Sequence, residues 1–168
     1  GTVDPGPFTA LGVHAGLRAA LEAGTGDPDP AGRTVLVQGV GDVGEPLARR
    51  LSEDGAALLL ADVDGDRARG LAAEVGGEAV PAADALTTEC DVLAPCAVGG
   101  VLDAASIPRL RCSVVAGSAN NQLGETADAD ALHERGILYA PDHVINAGGA
   151  LAFGLMQQGM ADEELLHE

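Results

Sequence analysis

Apolar positions along this chain follow two rhythms. Short runs of Val, Leu, Ile and Ala alternate with longer stretches in which apolar residues recur every three or four positions. The first rhythm marks buried strands and the second marks amphipathic helices. Phe8 to Ala23 is the first helical stretch, with Leu11, Ala15, Leu17, Ala20 and Leu21 on one stripe and Thr9 at its cap or in its first turn. A Gly/Pro/Asp loop, Gly24 to Gly32, leads into a predicted strand over Thr34 to Gln38. A helix from Val43 to Glu53 follows, ended by Gly55, and then a strand over Ala57 to Ala61. Asp64 to Val75 reads as an amphipathic helix closed by Gly76 and Gly77. Further on, the pattern predicts strands at Glu78–Val80, at Asp91–Ala94 (stopping at Pro95), at Ser113–Ala116 and at Ile137–Ala140. Between them lie a short helix or turn over Asp103 to Leu110, interrupted by Pro108, and a helix over Asp128 to Arg135 with Gly136 as its stop signal. From Asn146 onward, small apolar residues predict a terminal helix.

The first strand runs straight into Gly39–Val40–Gly41–Asp42–Val43–Gly44, a G-x-G-x-x-G sequence opening a helix. Gly39 permits the tight turn, Gly41 lets backbone approach a pyrophosphate, and Gly44 lets the helix pack closely on the strand. The anion would sit on the helix N-terminus, where unpaired N–H groups and the helix dipole favour it. Asp62 ends the next strand, about 20 residues past Gly41, where a carboxylate can accept hydrogen bonds from the ribose hydroxyls of NAD and repel the extra phosphate of NADP. Arg67 and Arg69 follow closely enough to soften that repulsion. Strand–helix alternation with this loop predicts an α/β, Rossmann-like doubly wound fold: a mainly parallel sheet with helices on both faces, a three-layer αβα arrangement.

Composition narrows the partners. The 168 residues suit one domain with a proper core, and a formal charge of −17 disfavours nucleic acid and anionic membranes. All nine basic residues are arginines, so chemistry that needs a lysine cannot be completed inside this chain. Cys90, Cys96 and Cys112 lack metal-type spacing and read as reduced thiols of a cytoplasmic protein. The four histidines give no metal site either; His14 and His133 read as packing or surface residues, and His143 lies nearest the expected cleft. The opening residues, Gly1 to Pro7, read as a linker, and residues 1–168 as a single dinucleotide-binding domain of a longer protein.

In such a sheet, ligands bind beyond the carboxyl ends of the strands. Those ends carry Gly39–Gly41, Asp62, Pro95–Cys96–Ala97, Gly117–Ser118–Ala119–Asn120–Asn121, Pro141–Asp142 and Asn146–Gly149. Small residues admit a flat ring, and asparagine offers both donor and acceptor. Cys96 reads as a pocket wall, since no histidine stands convincingly beside it to activate it as a nucleophile.

The strings VQGVGDVG, CDVLAPCAVGGVLD, VVAGSANNQL, GILYAPDHVINAGG and FTALGV resemble the glutamate/leucine/phenylalanine/valine dehydrogenases, in their leucine/phenylalanine/valine branch, from about Thr9 to Gly149. The resemblance implies NAD-linked oxidative deamination of an apolar L-amino acid to its 2-oxo acid and ammonia, in a homo-oligomeric enzyme. It implies that this unit is the C-terminal cofactor domain. The catalytic lysines and aspartate would then lie in a separate N-terminal domain, leaving no catalytic residue in this segment. Carried over by position, the cofactor contacts are Thr9, Gly39, Val40, Gly41, Asp42, Val43, Gly44, Asp62, Val63, Pro95, Cys96, Ala97, Ser118, Ala119, Asn120 and Asn146. Asn121, Ala150 and Phe153 occupy places that resemble the substrate site. The segment Ala150–Gly159 departs from the polar, acidic helix usual in the family, leaving substrate choice open. Two other readings are a non-catalytic NAD-sensing module and an NAD-dependent dehydrogenase of another small metabolite.

Overall fold

The computed structural model describes residues 4–145. Helix α1 spans Gly6–Thr25, followed by β1 (Thr34–Gln38), α2 (Gly44–Glu53), β2 (Ala57–Ala61), α3 (Gly65–Val75) and β3 (Glu78–Ala79). Then come β4 (Val92–Pro95), β5 (Val114–Val115), α4 (Asp128–Glu134), β6 (Leu138–Tyr139) and α5 (Asp142–Ile145). The six strands form one sheet in the order β3-β2-β1-β4-β5-β6, and every pairing is parallel. This is the doubly wound order, with its reversal between β1 and β4.

Alternation along the strands assigns the faces. Val35 and Val37 of β1, Leu58 and Leu60 of β2, and Val92 and Ala94 of β4 share one cluster with Leu17 of α1, Leu47 and Leu51 of α2 and Leu71 of α3. Leu36 and Leu93 point the other way and pack with Leu102, Ile107, Leu110 and Leu132. The expected three layers are therefore present, but the second face is thin among the described residues. It is covered by the seven-residue α4 and by irregular chain that includes a 3-10 turn at Ile107–Arg109, where the sequence pattern predicts a helix or turn over Asp103–Leu110.

Strands β1 and β2 begin and end where the apolar runs predict. The outer strands are shorter: β5 and β6 keep only two residues each, and Pro95 closes β4 from within rather than stopping it one residue earlier. Pro95 can hold that place because proline lacks only a donor and still pairs in register with Gln38. Helix α1 starts at Gly6, so Thr9 is not its cap; its hydroxyl donates to the Pro5 carbonyl at 3.0 Å within the first turn. Asp64 caps α3 instead of belonging to it, accepting from the Asp66 and Arg67 amides. The one-turn α5 begins where the pattern predicts a post-strand loop, and the terminal helix expected from Asn146 lies outside the described residues.

The three cysteines are free, as expected. Cys90 and Cys112 sit at the amino edge of the sheet in the α4-side core, and the Cys90 amide donates to the Arg111 carbonyl at 3.1 Å. Burial pushes the Cys90 thiol up to about 12 and the Cys112 thiol up to about 11. Below the ordinary thiol value of 9.0 both states keep these protons and the fold loses nothing. Above it the unfolded chain ionises first, so stability falls as pH rises from about 9 towards 11. Urea unfolding at about pH 8 and about pH 10.5 should show a lower midpoint at the higher pH, and a smaller difference in the Cys90→Ala/Cys112→Ala variant. Equal midpoints for the parent chain at both values would refute the assignment.

Candidate functional site

The loop between β1 and α2 is shaped by what its glycines can and cannot accommodate. Gly39 has φ +92°, and a Cβ there would lie 2.6 Å from the Ala97 Cβ. A Cβ on Gly44 would lie 1.8 Å from the Gly39 carbonyl oxygen, so α2 rests directly on the turn. Gly41 differs: nothing lies within 4 Å of where its Cβ would be. Two glycines close the loop and the third leaves open space above it. Val43 is the N-cap of α2 and provides no side-chain cap. The N-terminus of α2 borders a cleft of about 450 Å³ lined in part by Gly41, Asp42, Glu45 and Pro46; the Glu45 amide donates to the Gly41 carbonyl at 3.0 Å, and Pro46 has no amide hydrogen. Open space over Gly41 and the positive end of the α2 dipole beneath it fit the pyrophosphate of a dinucleotide.

Asp62 is tied to this loop before any ligand arrives. Its Oδ2 accepts from the Val40 amide at 2.8 Å, and its Oδ1 accepts from the Asp64 amide at 2.8 Å. An ionised carboxylate offers about four lone-pair positions, so acceptor capacity remains for ribose hydroxyls. Beside Asp62 lies a second cavity of about 300 Å³, lined by Val63, Ala68, Val80 and Pro81 among others. Sequence reasoning did not include Val80 and Pro81. The signal was available, since they follow β3 and so stand at the end of a strand as the other candidates do.

From the glycine turn, contacts run continuously across the sheet edge. Ala97 meets Gly39, and the Cys96 amide donates to the Gln38 carbonyl at 2.7 Å. Burial pushes the Cys96 thiol up, opposed by hydrogen bonds from the Ser118 side chain and amide, so this sulfur is a protonated wall and not a ready nucleophile. The Ala119 amide donates to the Pro95 carbonyl at 2.8 Å, and a Cβ on Gly117 would lie 2.2 Å from the same oxygen. A Cβ on Gly99 would lie 2.1 Å from the Asn120 carbonyl oxygen, which locks the loops after β4 and β5 together. Asn121 adopts φ +51°, and its amide donates to Asp142 Oδ2 at 2.5 Å. The side chain of Gln122, absent from the sequence candidates, is fully buried and donates to the Gly117 carbonyl at 2.8 Å. Its position directly after the Asn pair was the only hint.

The structure therefore brings Gly39–Gly44, Asp62, Val63, Pro95–Ala97 and Ser118–Asn121 onto one edge, with β2 and β5 about 14 Å apart at ordinary strand spacing. Thr9 stands on the helix whose first residue abuts the loop: a Cβ on Gly6 would lie 2.3 Å from the Asp42 carbonyl oxygen. Asn146, Ala150 and Phe153 lie outside the described residues. His143 is largely exposed and stands 3.8 Å from Asp142, while His14 bridges α1 to the end of α2 through Asp54 at 2.5 Å, the packing role expected of it. Among the described residues, no group of acids, histidines and cysteines could hold a metal ion, and no helix is long and apolar enough to cross a membrane.

The model of the glutamate/leucine/phenylalanine/valine dehydrogenase family matches residues 60–162. The leucine dehydrogenase of Geobacillus stearothermophilus is 45% identical over 148 residues, which are 88% of this chain and 40% of that protein. The valine dehydrogenase of Streptomyces virginiae is 45% identical over 154 residues, covering 90% of this chain and 43% of that protein. The crystal structure of L-tryptophan dehydrogenase from Nostoc punctiforme superimposes with a TM-score of 0.92 at 38% identity, over 98% of this chain and 51% of that one. The chain thus spans about half or less of the length of the relatives it matches. Similarity of this extent, on a sheet whose carboxyl edge carries the glycine turn and its tethered aspartate, places the chain in the glutamate/leucine/phenylalanine/valine dehydrogenase family.

Proposed function

We propose that this chain is the dinucleotide-binding domain, C-terminal in its parent, of an NAD-dependent dehydrogenase that deaminates an apolar L-amino acid of the leucine, valine or phenylalanine type. The observation that carries the reading is the open space over Gly41 beside an Asp62 carboxylate already held by two backbone amides. The 45% identity to both a leucine and a valine dehydrogenase supports the substrate class. Asp62 favours NAD over NADP, because a 2′-phosphate would be brought against its negative charge.

When bound, the nicotinamide supplies the chemistry by taking a hydride from the substrate's alpha carbon. The residues of this chain bind and orient. The glycine turn and the N-terminus of α2 would hold the pyrophosphate, Asp62 and Val63 would hold the adenosine ribose, and Thr9 with Pro95–Ala97 and Ser118–Asn120 would flank the nicotinamide end, to which the family resemblance also assigns Asn146. The family resemblance assigns Asn121, Ala150 and Phe153 to the substrate site. The acid–base groups come from a second domain, since this chain has no lysine to offer. Closure of the two domains excludes water from the reacting atoms. The parent is a cytoplasmic homo-oligomer, in keeping with three free thiols here.

The test is to assay the parent protein with L-leucine, L-valine and L-phenylalanine, following NADH formation, alongside NADH titration of this chain. Oxidation of at least one with NAD is expected. NADH binding without oxidation of any of them would overturn the substrate class and favour a cofactor-sensing module.

A further inference from the structure

Resting on the dinucleotide reading, we infer that the Arg67 guanidinium contacts the pyrophosphate of the bound cofactor and is the cation that makes this acidic cleft hospitable to an anion. The chain carries a formal charge of −17, and the cleft at the glycine turn is itself lined by Asp4, Asp42 and Glu45. The Glu45 amide is already bonded to the Gly41 carbonyl and Pro46 has no amide hydrogen, so the α2 dipole must attract a doubly charged ligand against nearby carboxylates. Two guanidiniums border the same cleft, Arg49 and Arg67. Arg49 is committed: its Nη2 lies 2.8 Å from Glu45 Oε1 and 2.7 Å from Glu74 Oε2. These partners hold its pKa above the ordinary guanidinium value and cancel its charge locally. Arg67 makes no ion pair with any described residue.

The base of Arg67 is fixed where it is needed. Its amide donates to the Asp64 cap at 3.1 Å in the first turn of α3, just past the tethered Asp62. Arg69 is separated from it in both place and pairing. It borders the cavity beside Asp62 and Val80, and its guanidinium lies 2.6 Å from Asp66. The two arginines read together from sequence thus divide: one is paired at the adenosine end, the other borders the phosphate cleft. A planar guanidinium suits two phosphate oxygens at once, and a lysine would keep the charge but lose the fork.

The experiment is titration of this chain and its Arg67→Gln, Arg67→Lys and Arg50→Gln variants with NADH and with NADPH, followed by nicotinamide fluorescence or calorimetry, at low and moderate salt. Arg50→Gln removes the same charge at a residue that does not border the cleft, so it controls for net charge. Arg67→Gln should weaken NADH and NADPH binding by the same factor, about tenfold, and make binding less salt-dependent. Arg67→Lys should recover part of the loss, and Arg50→Gln should bind as the parent chain does. Weakening confined to NADPH would show a contact with the 2′-phosphate and overturn the pyrophosphate assignment. Equal affinities for the parent chain and Arg67→Gln would refute the inference and leave the dinucleotide reading standing. A parent chain that binds neither cofactor would bring down both.

Discussion

Replacing Gly44 with alanine should cost this domain at least about 3 kcal/mol, a large part of the about 5–15 kcal/mol that holds a domain of this kind together. The new Cβ would sit 1.8 Å from the Gly39 carbonyl oxygen. That oxygen is backbone and cannot rotate aside as a side chain would. Relief requires lifting α2 off β1, which opens the cluster around Leu47, Val35 and Leu51. Gly41→Ala is the informative companion. Its Cβ meets nothing within 4 Å, so stability should stay within about 0.5 kcal/mol of the parent. NADH affinity should nonetheless fall at least about tenfold, because the methyl occupies the approach of the pyrophosphate. Urea unfolding and NADH titration of both variants separate the two roles. A Gly41→Ala protein that binds NADH normally would mean that the cofactor does not lie on this turn.

Asp62→Ala should have the second large effect, acting on affinity, selectivity and stability together. It removes the carboxylate that would take the ribose hydroxyls, and hydrogen bonds to a charged acceptor contribute about 1.5–3 kcal/mol each. NADH binding should weaken by about ten- to a hundredfold. NADPH should lose less, since the repulsion of its extra phosphate disappears with the charge. The ratio of the two affinities should therefore shift towards NADPH. The Val40 amide, bonded to Asp62 at 2.8 Å, would lose its partner, costing about 1 kcal/mol of stability. An unchanged NADH-to-NADPH ratio would rule out the ribose contact.

Much of this was legible from residues alone, and the boundary between what was and was not is physical. The apolar runs of β1 and β2 are bounded by Thr34 and Gln38 and by Gly55 and Asp62, so their ends match the sequence pattern. The outer strands contract because pairing is decided by neighbours: β5 and β6 hold only the rungs Val114↔Leu138 and Val115↔Tyr139. Helix α1 begins two residues before the apolar stripe because Pro7 sits in its first turn, where a proline needs no amide partner. The glycine turn and Asp62 announced themselves by spacing. The pins around the Asn pair did not: Asp142 reaches back 21 residues to the Asn121 amide, and the buried Gln122 side chain turns back five residues to the Gly117 carbonyl, and neither pairing has a sequence signature. The opposite fates of Arg67 and Arg69 were equally invisible, because they depend on which side of α3 each guanidinium leaves.

One contact can form only when most of this domain has been made. A Cβ on Gly16 of α1 would lie 2.7 Å from Ile145, so the first helix nestles against the last described turn. Elements from α1 to β3 join neighbours close in sequence, α1 packing on α2 through His14 and Asp54, and can condense early, whereas the contact of Gly16 with Ile145 must wait for residues more than a hundred positions downstream. Until then the cluster that α1 shares with Val114, Ala116 and Ile145 stays incomplete. During synthesis this apolar cluster would thus close last, and until it does its uncovered surface is open to aggregation.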